Sequence, residues 1–207
     1  GPPTVLMDNI RDQLSFGYRT AYLFSSQILR SIDRKMTRRF SEESRLVFAN
    51  SKHLADIYER WNVKVHGIIH PPVDCQKFKP STDIPSGHYA VTYFGKETDF
   101  DAVQKVLDNG IRMKAFGGKI DVGTGLLKHP NLDYHGRISD SKLIELYSDA
   151  LFTLFPFTDE PFGYIPVESM ACGTPVMTFG RQGPAETVVD GVTGWLARDE
   201  DEIVELA

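Results

Sequence analysis

Apolar residues recur every three to four or seven positions over residues 18–40. This spacing predicts an amphipathic helix, because residues three, four and seven positions apart share one helix face. Arg30, Arg34 and Arg38 are spaced by four and would add a basic stripe to that helix. The solvated face of an ordinary helix accounts for such a stripe, and contact with anionic lipid is the alternative.

After this helix, short apolar runs bounded by glycine, proline or capping residues predict alternating strands and helices. The predicted strands are residues 45–51, 64–69, 89–95, 112–118, 132–136, 151–157 and 175–179, and the predicted helices are residues 51–61, 101–110, 139–150 and 166–173. Ser51 and Ser139 are expected to be helix N-caps. Strands that are apolar on both faces are typical of a parallel sheet between two helix layers. The predicted fold class is therefore α/β, with a Rossmann-like parallel sheet and helices on both faces.

A connector bounded by prolines at residues 71–80 divides the chain. Residues 1–70 would then be part of one domain, and residues 81–207 would form the α/β domain. The last ten residues stop as a predicted helix is getting under way. We therefore expect the chain to be a piece of a longer protein, with the first domain mostly missing and the second cut short at its end.

Composition narrows the function classes. With 207 residues, 41% hydrophobic and 25% charged, the chain has the profile of a globular protein. Its net charge of −5 argues against a nucleic-acid partner. Two cysteines, Cys75 and Cys172, are too few for a disulfide framework and have no metal-ligand spacing. No signal peptide and no apolar run of about 20 residues is visible. The expected location is the cytoplasm.

The stretch "TDEPFGYIPVESMACGTPV" (158–176) places two carboxylates eight positions apart, Glu160 and Glu168. It follows a continuously apolar predicted strand, and Pro166 suits the first turn of a helix. Glu160 would then lie in a loop and Glu168 in the first helical turn. A loop–helix placement lets both carboxylates face one crevice at the carboxyl edge of the sheet, where open parallel sheets bind ligands.

The same stretch suits a ligand that combines phosphate with hydroxyl groups. Gly163 lacks side-chain bulk, so the amides of Gly163, Tyr164 and Ile165 can approach an anion at the helix N-terminus. The two carboxylates can accept hydrogen bonds from the hydroxyls of a ribose or a hexose. A phosphate held by amides, with sugars on either side, describes a nucleotide-sugar.

"EPFGYIPVESMACGTPV" resembles the Glu-x7-Glu signature of GT-B retaining glycosyltransferases, specifically glycosyltransferase family 4. "GRQGPAETVVDGVTGWLA" (180–197) is similar to the next segment of that family, and residues 135–157 to the preceding helix and strand. Residues 48–80 resemble the end of the family's N-terminal domain and its interdomain linker. The resemblance covers most of residues 45–207 and implies that the α/β domain is the nucleotide-sugar-binding half of a GT-B enzyme.

The resemblance also implies roles for individual residues. Glu160 would bind hydroxyls of the transferred sugar, and Glu168 would accept from the ribose hydroxyls. Backbone groups at the helix start would contact the sugar and diphosphate, and backbone groups after the 132–136 strand would border the base. These residues are Phe162, Gly163, Tyr164, Ile165, Arg137 and Ile138. Lys96 fills the first position of a basic pair that neutralises the diphosphate, so Glu160 and Lys96 are the catalytic candidates.

The sequence departs from the family pattern after Lys96. The second basic residue of the pair is absent, and residues 97–101 read Glu-Thr-Asp-Phe-Asp instead. This departure keeps open a non-catalytic GT-B module that binds nucleotide or glycan in a larger assembly. A GT-B sugar-nucleotide epimerase is a further alternative, but it would need additional catalytic acids that the sequence does not identify.

The resemblance implies a metal-independent hexosyltransferase without a cofactor. It would move a sugar from a UDP- or GDP-sugar to a hydroxyl of a glycan or lipid-linked acceptor, with retention of configuration. The acceptor site would belong mainly to the other domain, so we expect this fragment alone to be inactive. Peripheral membrane contact through the missing domain and a dimer through residues 18–40 are two further hypotheses.

Overall fold

The computed structural model describes residues 4, 7, 15–81, 87–118 and 125–207. The N-terminal segment contains a long helix, two short strands and a second helix. These elements are α1 (Phe16–Glu43), β1 (Phe48–Ala49), α2 (Lys52–Arg60) and β2 (Gly67–Ile68). The two strands pair in parallel over two residues each, so the predicted strands here were too long. Ser51 caps α2 as predicted, since its Oγ accepts from the Leu54 amide at 3.0 Å.

The second part of the chain forms a six-stranded sheet with helices between its strands. Its strands are β3 (Ala90–Phe94), β4 (Met113–Gly117), β5 (Leu132–Tyr134), β6 (Phe152–Phe155), β7 (Val176–Phe179) and β8 (Gly194–Ala197). Its α-helices are α3 (Phe100–Asp108), α4 (Asp140–Asp149), α5 (Tyr164–Ala171), α6 (Pro184–Thr187) and α7 (Glu200–Leu206), with a 3-10 turn at Leu126–Lys128. The predicted cap at Ser139 is present at the start of α4.

All pairings in this sheet are parallel, and the strand order is β5-β4-β3-β6-β7-β8. The chain starts in the middle, adds two strands on one side, and then returns to add three on the other. The order therefore reverses between β3 and β6, and the loops that leave these two strands diverge there. In doubly wound sheets this switch point opens the crevice that holds ligands. The predicted α/β Rossmann-like fold is confirmed.

Helices cover both faces of the sheet. Ala90 and Val91 are neighbours in β3 and fully buried, but they belong to two different hydrophobic clusters. Ala90 packs with residues of α3 and α7, and Val91 packs with residues of α4. Successive strand residues point to opposite faces, so burial of both requires cover on each side. This is why these strands read as continuously apolar.

Helix α1 leaves many of its apolar side chains exposed, including Phe24, Ile32 and Phe40. Two of its basic residues contact Trp61: the Arg34 guanidinium lies 5.7 Å from the ring centroid, and Arg38 Nε donates to the Trp61 carbonyl at 2.5 Å. The basic stripe is therefore partly a packing feature. Among the helices that the structure describes, none is both long and apolar enough to cross a bilayer. The dimer through this helix stays a prediction.

Candidate functional site

The turn after β3 and the loop after β6 are joined at the switch point. The Asp99 amide donates to the Pro156 carbonyl at 2.7 Å, and the Thr158 amide donates to the Glu97 carbonyl at 3.0 Å. Thr98 and Phe157 form an antiparallel bridge between the same two segments. Residues 95–99 and 156–163 therefore form one continuous rim of the crevice at the carboxyl edge of the sheet.

Glu160 lies on this rim, and its carboxylate is held by its own loop. Its Oε1 accepts from the amides of Phe162 at 3.1 Å and Gly163 at 2.9 Å. The Gly163 amide thus already donates to a carboxylate of its own loop, and its predicted contact with a ligand phosphate stays a prediction. A carboxylate in a partly buried loop attracts nearby amides because the charge strengthens each hydrogen bond. No described residue donates a hydrogen bond to Oε2, so this oxygen can accept from a ligand hydroxyl.

The protonation of Glu160 depends on several opposing effects. Burial raises the pKa of Glu160, and the negative charges of Glu97 and Asp159 raise it further. The hydrogen bonds from Phe162 and Gly163 act in the other direction but do not cancel these effects. The pKa of Glu160 is therefore higher than that of an ordinary surface glutamate, because burial disfavours the charged form.

Gln182, in the segment after β7, hydrogen-bonds to the same loop. Its side-chain Oε1 accepts from the Glu160 amide at 2.9 Å, and its Nε2 donates to the Thr158 carbonyl at 2.6 Å. The Gly183 amide adds a bond to the Glu160 carbonyl at 3.0 Å. Gln182 also has a positive φ of 63°, which costs a non-glycine residue roughly 1–2 kcal/mol.

Sequence reasoning missed Gln182. A glutamine in a glycine-containing turn carries no chemical signal of its own, and the left-handed backbone that marks it appears only in the structure.

Gly163 and Gly183 allow the loop and the 180–187 segment to approach each other closely. A Cβ on Gly183 would lie 2.2 Å from the Pro161 carbonyl oxygen, which is far inside a van der Waals contact. Gly163 has a φ of 92°, and a Cβ there would lie 3.1 Å from Pro184 Cγ. Both glycines are thus required by the packing of this rim.

Helix α5 begins at Tyr164 and ends at Ala171, so the predicted helix at 166–173 was shifted by two residues. Gly163 in the left-handed conformation turns the chain into the helix earlier than Pro166 suggested. Glu168 is therefore in the second turn of α5 and not in the first. Pro166 still fits, because the first four amides of a helix have no intrahelical acceptor. The amides of Tyr164 and Ile165 are among those four.

Glu168 has different neighbours from Glu160. Burial raises its pKa, Asp140 at the start of α4 raises it further, and Lys77 in the connector lowers it. Lys77 also forms an ion pair with Asp140. The Glu168 carboxylate therefore lies near the connector and the loop after β5, whereas Glu160 lies near the turn after β3. That both carboxylates contact one ligand in a single cleft stays a prediction.

The remaining predicted site residues lie at the same edge of the sheet. Lys96 is exposed in the turn directly after β3. Arg137 and Ile138 follow β5; Arg137 is exposed, and Ile138 packs against the cluster of α4. The side chain of Phe162 is buried, and that of Tyr164 is half exposed. These positions agree with backbone contacts to a ligand but do not test the assigned roles.

The acidic run after Lys96 has a structural explanation. Asp99 is the N-cap of α3 and accepts from the Ala102 amide at 3.1 Å. Asp101 lies in the first turn of the same helix, where a negative charge is favourable. Glu97 lies against the loop after β6 through its backbone carbonyl. Two of the three acids therefore stabilise a helix start.

Glu186 connects this rim to the N-terminal segment. Its carboxylate oxygens accept from the amides of Lys52 and His53 at 2.8 Å each, at the start of α2. His70 Nε2 lies 3.6 Å from Glu186 Oε2, and the His70 ring centroid lies 5.7 Å from that of Phe162. The observed contacts of Glu186 are those of a helix cap. Among the described residues, no group of three or more His, Cys, Asp or Glu side chains could hold a metal ion.

The model of the family "Glycosyl transferases group 1" matches residues 125–207. This range contains the loop after β6, α5 and the 180–187 segment. The chain is 46% identical to the alpha-1,3/1,6-mannosyltransferase alg-2 of Neurospora crassa over 66 residues, which is 32% of this chain and 14% of that protein. It is 29% identical to the D-inositol 3-phosphate glycosyltransferase of Mycolicibacterium smegmatis over 161 residues, or 65% of this chain and 36% of that protein. The chain therefore spans well under half the length of either relative.

Solved structures share the fold. Sucrose-phosphate synthase from Thermosynechococcus elongatus superposes with a TM-score of 0.73 at 21% identity, covering 85% of this chain and 51% of that one. HepE from Anabaena, solved in complex with UDP and glucose, superposes with a TM-score of 0.70 at 20% identity, covering 87% and 56%. At these identities the likeness establishes the fold alone.

Proposed function

Residues 125–207 belong to the glycosyl transferases group 1 family, and from this premise we propose that the protein transfers a sugar from a nucleotide-diphosphate donor to an acceptor hydroxyl. We further propose that it does so with retention of configuration and without a metal ion. Relatives over part of the chain carry glycosyltransferase names, which supports the reaction class. HepE, a structural neighbour solved with UDP and glucose, supports a nucleotide-sugar donor.

A single observation carries the proposal: a carboxylate with one occupied and one available oxygen lies on the rim of the switch-point crevice. Glu160 Oε1 is held by two amides, and Oε2 has no hydrogen-bond donor among the described residues. Such an oxygen is a fixed acceptor for a sugar hydroxyl. Glu168, one helix turn into α5, is the corresponding acceptor for the ribose hydroxyls.

The diphosphate would lie between these two carboxylates. The first amides of α5, at Tyr164 and Ile165, carry the positive end of the helix dipole. Lys96 lies across the rim, in the turn that is hydrogen-bonded to the loop after β6. As the bond between sugar and diphosphate breaks, negative charge develops on the leaving group, and fixed donors of this kind stabilise it. Lys96 and the helix start would thus do the work that a metal ion does in other transferases.

A binding module without activity is the alternative that the acidic run suggested. Asp99 and Asp101 belong to the start of α3, so the run no longer favours that alternative. The choice of acceptor, any membrane contact and the location in the cell are properties of the whole protein. We propose a glycan or lipid-linked acceptor on the side of the N-terminal segment, because His70 contacts Phe162 of the rim and residues 52 and 53 bond to the neighbouring Glu186.

The test is a calorimetric titration of the 207-residue chain with UDP-, GDP- and ADP-sugars and with the matching free diphosphates. We expect one base to bind clearly more tightly than the other two. Absence of binding to all three sugar-nucleotide classes would contradict the donor assignment. Retention is tested on the longest natural form of the protein, by following the anomeric proton of the new linkage by NMR. A product of inverted configuration would refute that part of the proposal.

A further inference from the structure

The side chain of Gln182 takes the place of a neighbouring strand for the Glu160 loop. Its planar amide accepts from the Glu160 N–H and donates to the Thr158 carbonyl, at 2.9 and 2.6 Å. In a parallel β-ladder, the carbonyl of residue i and the amide of residue i+2 bond to the same partner strand. Thr158 and Glu160 have this spacing. Strand β7 has ended at Phe179, so backbone pairing cannot supply this support. The side-chain amide of Gln182 supplies the same pair of hydrogen bonds beyond the end of the sheet.

The backbone conformation of Gln182 is one that would favour glycine, so the side chain must have a compensating role. With a φ of 63°, the position suits glycine, which reaches this region without a Cβ clash. A non-glycine residue persists in such a conformation when surrounding interactions over-determine it. The neighbouring residue, Gly183, contributes its amide to the Glu160 carbonyl at 3.0 Å through backbone alone. Thus Gln182 adds two bonds that a glycine at the same position would not make.

We propose that Gln182 is a positioning residue for Glu160. By fixing residues 158–160, it keeps the Glu160 carboxylate on the amides of Phe162 and Gly163, with the second oxygen available to a ligand. The ligand hydroxyls are those of the transferred sugar, and this part of the inference rests on the proposed function. Among the described residues, the Gln182 side chain hydrogen-bonds to loop backbone and to no other group, so it acts on the ligand through Glu160.

The experiment compares three variants of the 207-residue chain with the wild type. Gln182→Gly removes both side-chain bonds and relieves the backbone. Gln182→Glu keeps an acceptor for the Glu160 amide but loses the donor to the Thr158 carbonyl. Asn62→Gly is the matched control, because Asn62 also has a positive φ, at 56°, and lies after α2, away from the rim.

The first measurement is hydrogen exchange of the Glu160, Phe162 and Gly163 amides by NMR. In Gln182→Gly we expect these amides to exchange about tenfold faster or more, because local opening becomes easier. Gln182→Glu should lie between this variant and the wild type, and Asn62→Gly should match the wild type. The melting temperature of Gln182→Gly should stay within a few degrees of the wild type, since relief of backbone strain offsets the lost bonds. Wild-type exchange at all three amides in Gln182→Gly would overturn the proposal.

The second measurement separates positioning from a structural role. Affinity of Gln182→Gly for the preferred sugar nucleotide, UDP-glucose or GDP-mannose, should fall about tenfold, while affinity for UDP or GDP changes less than about twofold. Equal losses for both ligands, or faster exchange with unchanged sugar-nucleotide affinity, would also overturn the proposal. If the wild type binds no sugar nucleotide, the proposed function fails, and amide exchange still decides whether Gln182 holds Glu160.

Discussion

Glu160 and Glu168 belong to one short motif, yet the structure holds them in different ways. Glu160 lies in an irregular loop, and its carboxylate and backbone bond to Phe162, Gly163, Gln182 and Gly183. Glu168 lies in the second turn of a regular helix, and no described residue hydrogen-bonds its carboxylate. Burial raises the pKa of Glu168, Asp140 raises it further, and Lys77 lowers it.

The difference shows two ways to place an acceptor at the edge of a sheet. A helix fixes Glu168 through local geometry, so its position needs little help from distant residues. A loop has no such regularity, so Glu160 depends on a second segment, residues 180–187, that is remote in sequence. Damage to that segment should therefore affect Glu160 before it affects Glu168.

The largest expected effect on ligand affinity comes from removing the negative charge of Glu168. Glu168→Gln keeps the shape but loses a charge-assisted hydrogen bond worth roughly 1.5–3 kcal/mol. Affinity for the free nucleoside diphosphate should fall about tenfold to a hundredfold, with a similar loss for the sugar nucleotide. Isothermal titration with both ligands measures this.

Glu160→Gln is the matched variant for that comparison. The amide oxygen of the new side chain can still accept from Phe162 and Gly163, while its NH2 group replaces the available oxygen with a donor. Diphosphate affinity should hardly change, and sugar-nucleotide affinity should fall. If each of the two variants loses affinity equally for both ligands, the division of roles between the glutamates is wrong.

Gly183→Ala tests the dependence of the Glu160 loop on its neighbour. The new Cβ would lie 2.2 Å from the Pro161 carbonyl oxygen, and forced overpacking typically costs about 1–3 kcal/mol. For a chain of this size the melting temperature should fall by roughly 2–12 °C. Sugar-nucleotide affinity should fall more than diphosphate affinity, because the loop moves and α5 does not.

Gly125→Ala is the control for this substitution. Gly125 has a φ of −68° and open space around its Cβ position, so alanine fits there without strain. It should leave the melting temperature unchanged or slightly raised. A Gly183→Ala protein as stable as Gly125→Ala would show that the close approach of the two segments is not required.

Glu186→Ala asks how far the rim depends on the N-terminal segment. The change removes the bonds to the amides of Lys52 and His53 and leaves Ser51 as the remaining cap of α2. Loss of a cap costs about 0.5–2 kcal/mol, which thermal unfolding detects. Glu59→Ala, an exposed change on the same helix, should stay within about 0.5 kcal/mol. Equal stability of the two variants would mean that the contact across the connector contributes nothing.

The smallest effect is the pH dependence of stability that Glu160 contributes. Burial and the charges of Glu97 and Asp159 raise the pKa of Glu160 above its ordinary value of 4.5. Wild type therefore has a stabilising contribution below that value, which it loses as pH rises through the raised folded-state pKa. Glu160→Gln has no such loss. Its stability relative to the wild type should increase as pH rises from about 4 to about 7 in urea unfolding experiments. A relative stability that stays flat or declines over this interval would contradict the burial of an ionised Glu160.

The sequence determined the architecture through patterns that act locally. Continuously apolar strands between capped helices predicted the parallel sheet covered on both faces, and Ser51 and Ser139 marked helix starts correctly. The apolar run followed by a glycine turn and a proline predicted that the Glu160 loop lies at the carboxyl edge of the sheet, where the structure places it. These signals are readable because periodicity, capping and chain reversal depend on neighbouring residues.

Only the tertiary structure decided how the site is built. The helix start at Tyr164, the occupied amide of Gly163, the role of Gln182 and the cap from Glu186 to α2 all depend on residues distant in the chain. Gln182 and Glu160 are 22 positions apart, and Glu186 and Lys52 are 134 apart. No periodic sequence pattern marks the left-handed backbone of Gln182. None marks the Glu186 carboxylate that caps a helix in another segment. Such contacts form only when the sheet has brought the loops after β6 and β7 to one edge, because their geometry is set by packing and not by local preference.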